Sequence, residues 1–268
     1  MSDPVIDQLA EVWTSIIELG EGLTEREWKS GTELPGWSVQ DNLTHVSGTE
    51  LMMAGTPAPD VNIRHSDHLH NSIGELNELW VESRRNWLGA DVLAEFKTVA
   101  SNRLADYRSM TEVQLDTIGP TPLGPAPFRE FIVVRVMDSW AHEQDMRRAV
   151  HQPGHLAGPA VVLSVGRVTR AMPMVVGKRA EAQDGSSIVF IIEGAAGGIV
   201  SLAVDGRARL TDEPIAEPTV SLTMDVETYA ALGFGRWTAE KALAEGRVTI
   251  TGDRDLGNRI VTSMNFMN

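Results

Sequence analysis

Apolar residues recur at helical spacing through the first half of this 268-residue chain and at strand spacing through much of the second. The change falls across one Gly- and Pro-bearing stretch, HQPGHLAGP at 151–159. A pattern of period 3.6 cannot be seated as a strand, nor one of period 2 as a helix, so the two halves demand different architectures. Before the break, Val5, Leu9, Val12, Trp13, Ile16 and Ile17 recur helically behind Asp3-Pro4, a cap followed by Pro at the first helical position. Thr24 stands three residues before Glu27, a capping-box pattern, and Ser38 with Asp41 restarts a helix after Pro35-Gly36. In that helix Leu43, Val46 and Met53 are expected to face the core. Ile73, Leu76, Leu79, Trp80, Trp87 and Leu88 predict a third long helix, and Val92, Leu93, Phe96, Val99, Leu104 and Tyr107 a fourth. A polar segment between Pro57 and Leu69 reads as a loop. A Pro-rich connection at 119–128 leads into RVMDSWAHEQDMRRA at 135–149. Long amphipathic helices with short breaks predict a helical bundle.

Beyond the break one helix is expected over 159–176, then four strand-like runs: SIVFIIE (187–193), IVSLAVD (199–205), TVSLTMD (219–225) and RVTITGD (247–253). VETYAALGFG and RDLGNRIVTSM read as helices among them, an α+β pattern. EGAAGGIVS is Gly-rich but lies between strand-like runs and opens no helix, so it reads as a turn and not a phosphate loop.

A net charge of −14 argues against nucleic-acid binding, which needs basic footprints. No apolar run in the sequence approaches the ~20 residues of a membrane-spanning helix. The opening MSDPVIDQLAEVW lacks a basic n-region and reads as a helix start, not a signal peptide. The chain has no Cys, which excludes disulfides, a Cys-based metal site and a Cys nucleophile; the expected compartment is the reducing cytoplasm.

The chemistry concentrates in 135–149. Arg135, Asp138, His142 and Asp145 recur at helical spacing and share one face, which must meet either water or something charged. Asp138 and His142 are four residues apart, so their side chains converge and can hold one metal ion. Three protein ligands with an open position is the pattern of a catalytic zinc site. His45, inside a predicted helix and flanked by core-type residues, is the candidate third ligand, with the ion between facing helices of the bundle. The plainer alternatives are a surface acid–imidazole pair and a core histidine that only hydrogen-bonds. Glu143 points about 100° away around the helix and is not taken as a ligand. His65, His68 and His70 read as solvent-exposed, His151 and His155 as linker, and the Trp residues mostly as packing.

LPGWSVQDNLTHVSG followed much later by VMDSWAHEQDMRRA resembles the DinB-like, mycothiol-dependent maleylpyruvate isomerase family, whose members show a Pro-Gly-Trp lead-in to a His-bearing helix and a later helix with a carboxylate four residues before a second His. ALAEGRVTITGDRDLGNRI resembles the sterol-carrier-like domain that follows the bundle in that family. The resemblance implies an all-α DinB-like four-helix bundle over 1–155 and a smaller α+β sterol-carrier-like domain over 156–268. It implies a divalent metal, zinc, on His45, Asp138 and His142, with mycothiol as cosubstrate. Asp145 is either an orienting partner of a ligand or neighbouring Arg, or helix-surface solvation. One departure is that the later carboxylate, commonly Glu in the family, is Asp138 here, one methylene shorter.

The implied reaction is thiol-dependent cis–trans isomerisation of a small conjugated electrophile. Its anionic substrate needs a cation, for which Arg236 and Arg247 are the candidates. The alternatives are a mycothiol S-transferase of the same superfamily and a non-enzymatic protein with a structural metal and an apolar ligand. A structural zinc site is normally closed by four protein ligands, and three are found, which favours catalysis. A hydrolase needs a base for water; Ala141 precedes His142 and Glu143 leaves the ligand face, which favours a thiol. The expected partners are thus the small-molecule substrate and the low-molecular-weight thiol, with neither nucleic acid nor membrane.

Overall fold

The computed structural model describes residues 3–63, 71–119 and 124–267. The chain divides into two compact units, Met1–Gly154 and His155–Asn268. His65, His68 and His70 lie outside the described residues.

The first unit is helical. Four long helices form its bundle: α1 (Pro4–Glu21), α3 (Val39–Met53), α5 (Gly89–Ser109) and α7 (Phe128–Ala149), each packed against two of the others, with α4 (Ser72–Arg84) on the outside of α3. Short helices α2 (Glu25–Trp28) and α6 (Glu112–Leu115) and a two-residue pairing of β1 (Ile118–Gly119) with β2 (Ala126–Pro127) fill the connections. The starts follow the sequence signals. Asp3 accepts from the Val5 amide with Pro4 at the first helical position, and Thr24–Glu27 and Ser38–Asp41 both close as reciprocal capping boxes. Of the apolar residues picked out by their spacing, Leu9, Val12, Trp13, Ile16, Leu43, Val46 and Phe96 are essentially inaccessible, as are Val136 and Trp140 of α7.

Three expectations need correction. The third helix stops at Arg84 and does not run through Leu88, because side chains from elsewhere capture the carbonyls that would end or continue it. Gln40 Nε2 donates to Arg84 O at 2.8 Å, and Lys29 Nζ donates to Arg85 O at 3.2 Å and to Trp87 O at 2.7 Å. Trp87 and Leu88 are consequently exposed connection, with Trp87 under the Arg84 guanidinium, and Ile73, in the first turn of α4, is exposed as well. Met53 is the last residue of α3 and faces outward, not into the core.

The second unit opens with α8 (Pro159–Met174), which widens into one π-helical turn, Val175–Arg179. Pro173 has no N–H to give the preceding turn, and the ladder re-forms with wider spacing just beyond it. Against this helix lies a five-stranded sheet of order β5-β4-β3-β6-β7: β3 (Ser187–Glu193), β4 (Gly198–Asp205), β5 (Arg207–Thr211), β6 (Val220–Asp225) and β7 (Thr249–Gly252). Only β3 and β6 run parallel; every other neighbouring pair is antiparallel. Helices α9 (Val226–Gly233), α10 (Ala239–Ala244) and α11 (Arg254–Ser263) complete the unit. The sequence reading missed β5 and α10. RARLT carries two arginines in five residues and hides its one core contact, Ala208, while α10 is six residues long, too short to show a period.

The membrane expectation also needs amending. Pro159–Arg179, 21 residues, is long and apolar enough to cross a membrane by length and composition. Here it serves as the core helix of its unit, with Val161, Val165, Val168, Met172, Val175 and Val176 buried and Arg167 and Arg170 interrupting the outer face.

Gly48 lets α4 approach α3. A Cβ built there would meet Trp80 Cβ and Cγ at 2.7 Å, inside any real contact. Alanine in mid-helix is favoured by about 1 kcal/mol over glycine, yet overpacking of a rigid aromatic costs about 1–3 kcal/mol. Gly48→Ala should therefore lower the urea midpoint with an unchanged m-value. A raised midpoint would mean that Trp80 can retreat freely.

Candidate metal centre

Among the described residues, one group of His and acidic side chains is placed to hold an ion: His45, Asp138 and His142, one ligand atom from each, all within 4.8 Å of one another. His45 comes from α3; Asp138 and His142 come from consecutive turns of α7, which packs on α3. His45 Nε2 lies 3.4 Å from Asp138 Oδ2, and His142 Nε2 lies 3.7 Å from Asp138 Oδ1. Ligand atoms about 2.1 Å from a tetrahedral ion lie roughly 3.4 Å apart, so the carboxylate sits near coordinating separation from both imidazoles.

The ring orientations favour the same use. His142 Nδ1 lies 2.8 Å from Asn42 Oδ1 and 3.4 Å from Asp145 Oδ2. Both neighbours are acceptors, so Nδ1 carries the proton and the Nε2 lone pair points to the centre, the arrangement found around metal-bound histidines. His45 presents Nε2 to Asp138 as well, but its buried Nδ1 has no hydrogen-bond partner among the described residues. The two imidazole centroids are 4.6 Å apart, and the Trp37 indole packs on both, at 5.3 Å and 5.9 Å. Trp37 Nε1 donates to Glu78 Oε2 at 2.9 Å, and Arg85 binds Glu78, Asp41 at 3.2 Å and Glu82 at 2.6 Å. The indole is thus fixed on the imidazole side. Asp138 is the most accessible of the three, its side chain 20 % exposed against 8 % for each imidazole.

The charges around the centre are balanced by close partners. Arg135 is buried and donates from Nη1 to Asp138 Oδ2 at 2.5 Å and from Nε to Glu50 Oε1 at 2.8 Å. Burial alone would push the Asp138 pKa up, but the Arg135 cation, and after it the two imidazoles, hold the carboxyl well below its usual range. The histidines move in opposite directions. Burial lowers His45, and Asp138 offsets that only in part. His142 is buried too, yet the carboxylates of Asp138 and Asp145 outweigh desolvation and raise it.

The predicted polar stripe thus turns inward. Asp145 is fully buried, accepts from Arg148 Nη2 at 2.6 Å and lies beside His142, which favours the orienting role over surface solvation. Glu143 points away from the centre and accepts from Ser15 Oγ at 2.6 Å and Arg147 Nε at 2.7 Å. Arg236 and Arg247 lie in the second unit. Arg247 Nε donates to Glu245 at 3.0 Å with its guanidinium 4.5 Å from the Trp237 ring centroid, and Arg236 Nη1 donates to Phe234 O at 3.0 Å. His151 and His155 sit in the linker with left-handed φ of 54° and 51°.

Sequence reasoning missed Asn42, Trp37, Glu50, Arg103 and Tyr107. Asn42 carried a signal, as a polar residue on the helix that bears His45 and one turn before it, whereas Glu50 is five residues on and off the His45 face. Nothing in sequence ties Arg103 and Tyr107 to the centre.

Two outcomes are expected. Wild type should take up about one divalent ion per chain, and His142→Ala should lose it in elemental analysis; equal content in both would remove His142 from the ligand set. Affinity should also fall with falling pH. His142 has a raised pKa, so below that value the ring is an imidazolium without a lone pair, and each further pH unit weakens binding by about tenfold for the one displaced proton. Competition with a chelator of known affinity across pH measures this, and a flat profile through the imidazole range would contradict it.

Comparison with known proteins agrees with this architecture. The profile described as mycothiol maleylpyruvate isomerase N-terminal domain matches residues 9–147, and that of the SCP-2 sterol transfer family matches residues 173–265. No curated protein matches the chain. Among solved structures, a mycothiol-dependent maleylpyruvate isomerase superposes with a TM-score of 0.59 at 11% identity, covering 92% of each chain. A point mutant of a mycothiol-dependent maleylpyruvate isomerase gives 0.57 at 12% identity, again covering 92% of each. At such identities the likeness is one of fold. The match of its bundle to the profile establishes that this chain belongs to the mycothiol maleylpyruvate isomerase N-terminal domain family, with an SCP-2 domain behind the bundle.

Proposed function

We propose that the protein is a metal- and mycothiol-dependent enzyme that isomerises a small cis-configured electrophile, as a maleylpyruvate isomerase does. The observation that carries this reading is the convergence of His45, Asp138 and His142 at the centre of a bundle of this family. Two nitrogens and one carboxylate oxygen are a donor set suited to zinc, and the His142 tautomer fits it. When bound, the divalent ion supplies Lewis acidity, which lowers the pKa of a coordinating thiol so that the thiolate is present at neutral pH.

The chain's own groups have separate tasks. His45, Asp138 and His142 hold the ion. Asn42 and Asp145 fix the His142 ring, and Trp37 keeps water from the imidazole side. Asp138 leaves the accessible side, from which a thiol and a substrate can come together. Arg236 and Arg247 are proposed as partners for the substrate's carboxylate. In the reaction itself the thiolate forms a C–S bond to the conjugated cis double bond, and the π electrons move into the adjoining carbonyl. The former double bond rotates as a single bond. The electrons return, the C–S bond breaks, and the trans isomer and the thiolate are released with no net change in either. A cysteine-free chain working in a reducing cytoplasm with a borrowed thiol is consistent with this scheme.

The test is turnover of maleylpyruvate and other conjugated cis-dicarbonyl compounds by metal-loaded protein, with and without mycothiol. Conversion to the trans isomer only when thiol is present, with the thiol recovered unchanged, is the expected result. A stable thioether product would assign an S-transferase instead. Full turnover without thiol would refute both.

A further inference from the structure

Behind the three candidate ligands lies a second group of buried polar side chains that the proposed chemistry does not use. Glu50 is fully buried on α3. Its Oε1 accepts from Arg135 Nε at 2.8 Å; its Oε2 accepts from the Tyr107 hydroxyl at 2.7 Å and from Arg103 Nε at 3.3 Å. Arg103 Nη2 also donates to the Tyr107 hydroxyl at 2.8 Å, with its guanidinium 4.4 Å from that ring's centroid. Arg135, itself 3 % exposed, uses its remaining edge on Asp138 Oδ2 at 2.5 Å and reaches Val46 O at 3.5 Å with Nη2. A chain of direct contacts therefore runs from α5 through Glu50 and Arg135 to Asp138.

A buried ion network is weak evidence for stability, since apolar residues of equal volume often do as well, and so its placement asks for another explanation. Asp138 has a short side chain that is partly open to solvent. Its rotamer is set by what holds it. The planar guanidinium can grip Glu50 through one edge and Asp138 through another, which fixes the distance between them; an ammonium cannot do this.

We propose that Glu50 is a positioning residue of the metal centre, acting through Arg135 to hold the Asp138 carboxylate in ligating position and to neutralise the guanidinium that would otherwise repel the ion. The inference rests on the proposed metal-binding role of His45, Asp138 and His142. Removing the Glu50 charge acts in one direction only, because the freed cation repels the ion and the carboxylate loses its brace. Partners of ligating groups typically contribute about 10–100-fold in metal affinity.

The experiment uses the full chain. Glu50→Gln and Arg135→Lys are compared with wild type for zinc affinity by chelator competition, for the visible spectrum of the cobalt(II)-substituted protein, and for folding by circular dichroism. Expected are an affinity at least about tenfold weaker and a shifted cobalt spectrum in each folded variant. Arg135→Lys keeps the charge and loses the two-edged grip, so its deficit reports geometry. Wild-type affinity and spectrum in either folded variant overturn the proposal, and so does failure of both to fold, which would make the network purely structural. A wild type that binds no ion removes the metal reading and this inference with it, whereas normal wild-type binding with unaffected variants removes the inference alone.

Discussion

Arg135 carries a charge it cannot shed, since a guanidinium stays protonated at any working pH, and it carries it at 3 % exposure. A buried cation without an anion would not be tolerated. Glu50 from one helix and Asp138 from its own helix meet that demand, and each is then committed to a place. Glu50 recruits Tyr107 and Arg103 from α5 and raises the tyrosine's pKa beyond what burial does. Asp138 is held ionised between two imidazoles. The register of α3, α5 and α7 is thereby fixed by polar contacts as well as by the apolar seam, because a slip of one residue would strand the guanidinium.

That polar interior explains why the sequence was readable in some places and not others. Helix starts were legible because Asp3, Thr24 and Ser38 act within a few residues of themselves, and so does the pair Asp138–His142. The inward direction of the polar stripe was ambiguous from spacing alone, and the family resemblance decided it. Glu50 drew no reading because a lone acid among Thr49, Leu51 and Met52 gives no hint of partners on α5 and α7. Trp37 looked like packing, which it is, but what it packs on is two imidazoles from helices far apart in sequence. In the second half the alternating runs of β3, β4 and β6 were plain, while β5 escaped because its outward arginines mask the alternation.

The ends of helices show a related limit. α4 looked longer than it is because the apolar period continues through Trp87 and Leu88, and local propensity does not record that Lys29 and Gln40 draw off the carbonyls there. Periodicity reports which face could be buried; competition for hydrogen-bond acceptors decides where the backbone turns.

The capping box at Ser38 has a consequence for traffic at the centre. Asp41 closes that cap and also accepts from Arg85, which grips Glu78, which in turn takes the Trp37 indole N–H. Trp37 sits directly before the cap residue, so the indole is pinned at its ring and at its backbone together. Swinging it aside would break the hydrogen bond to Glu78 and strip both imidazoles of their packing partner. The indole thus walls the imidazole side, and of the three donors Asp138 is the one most open to an incoming molecule, whose charge meets a carboxylate there.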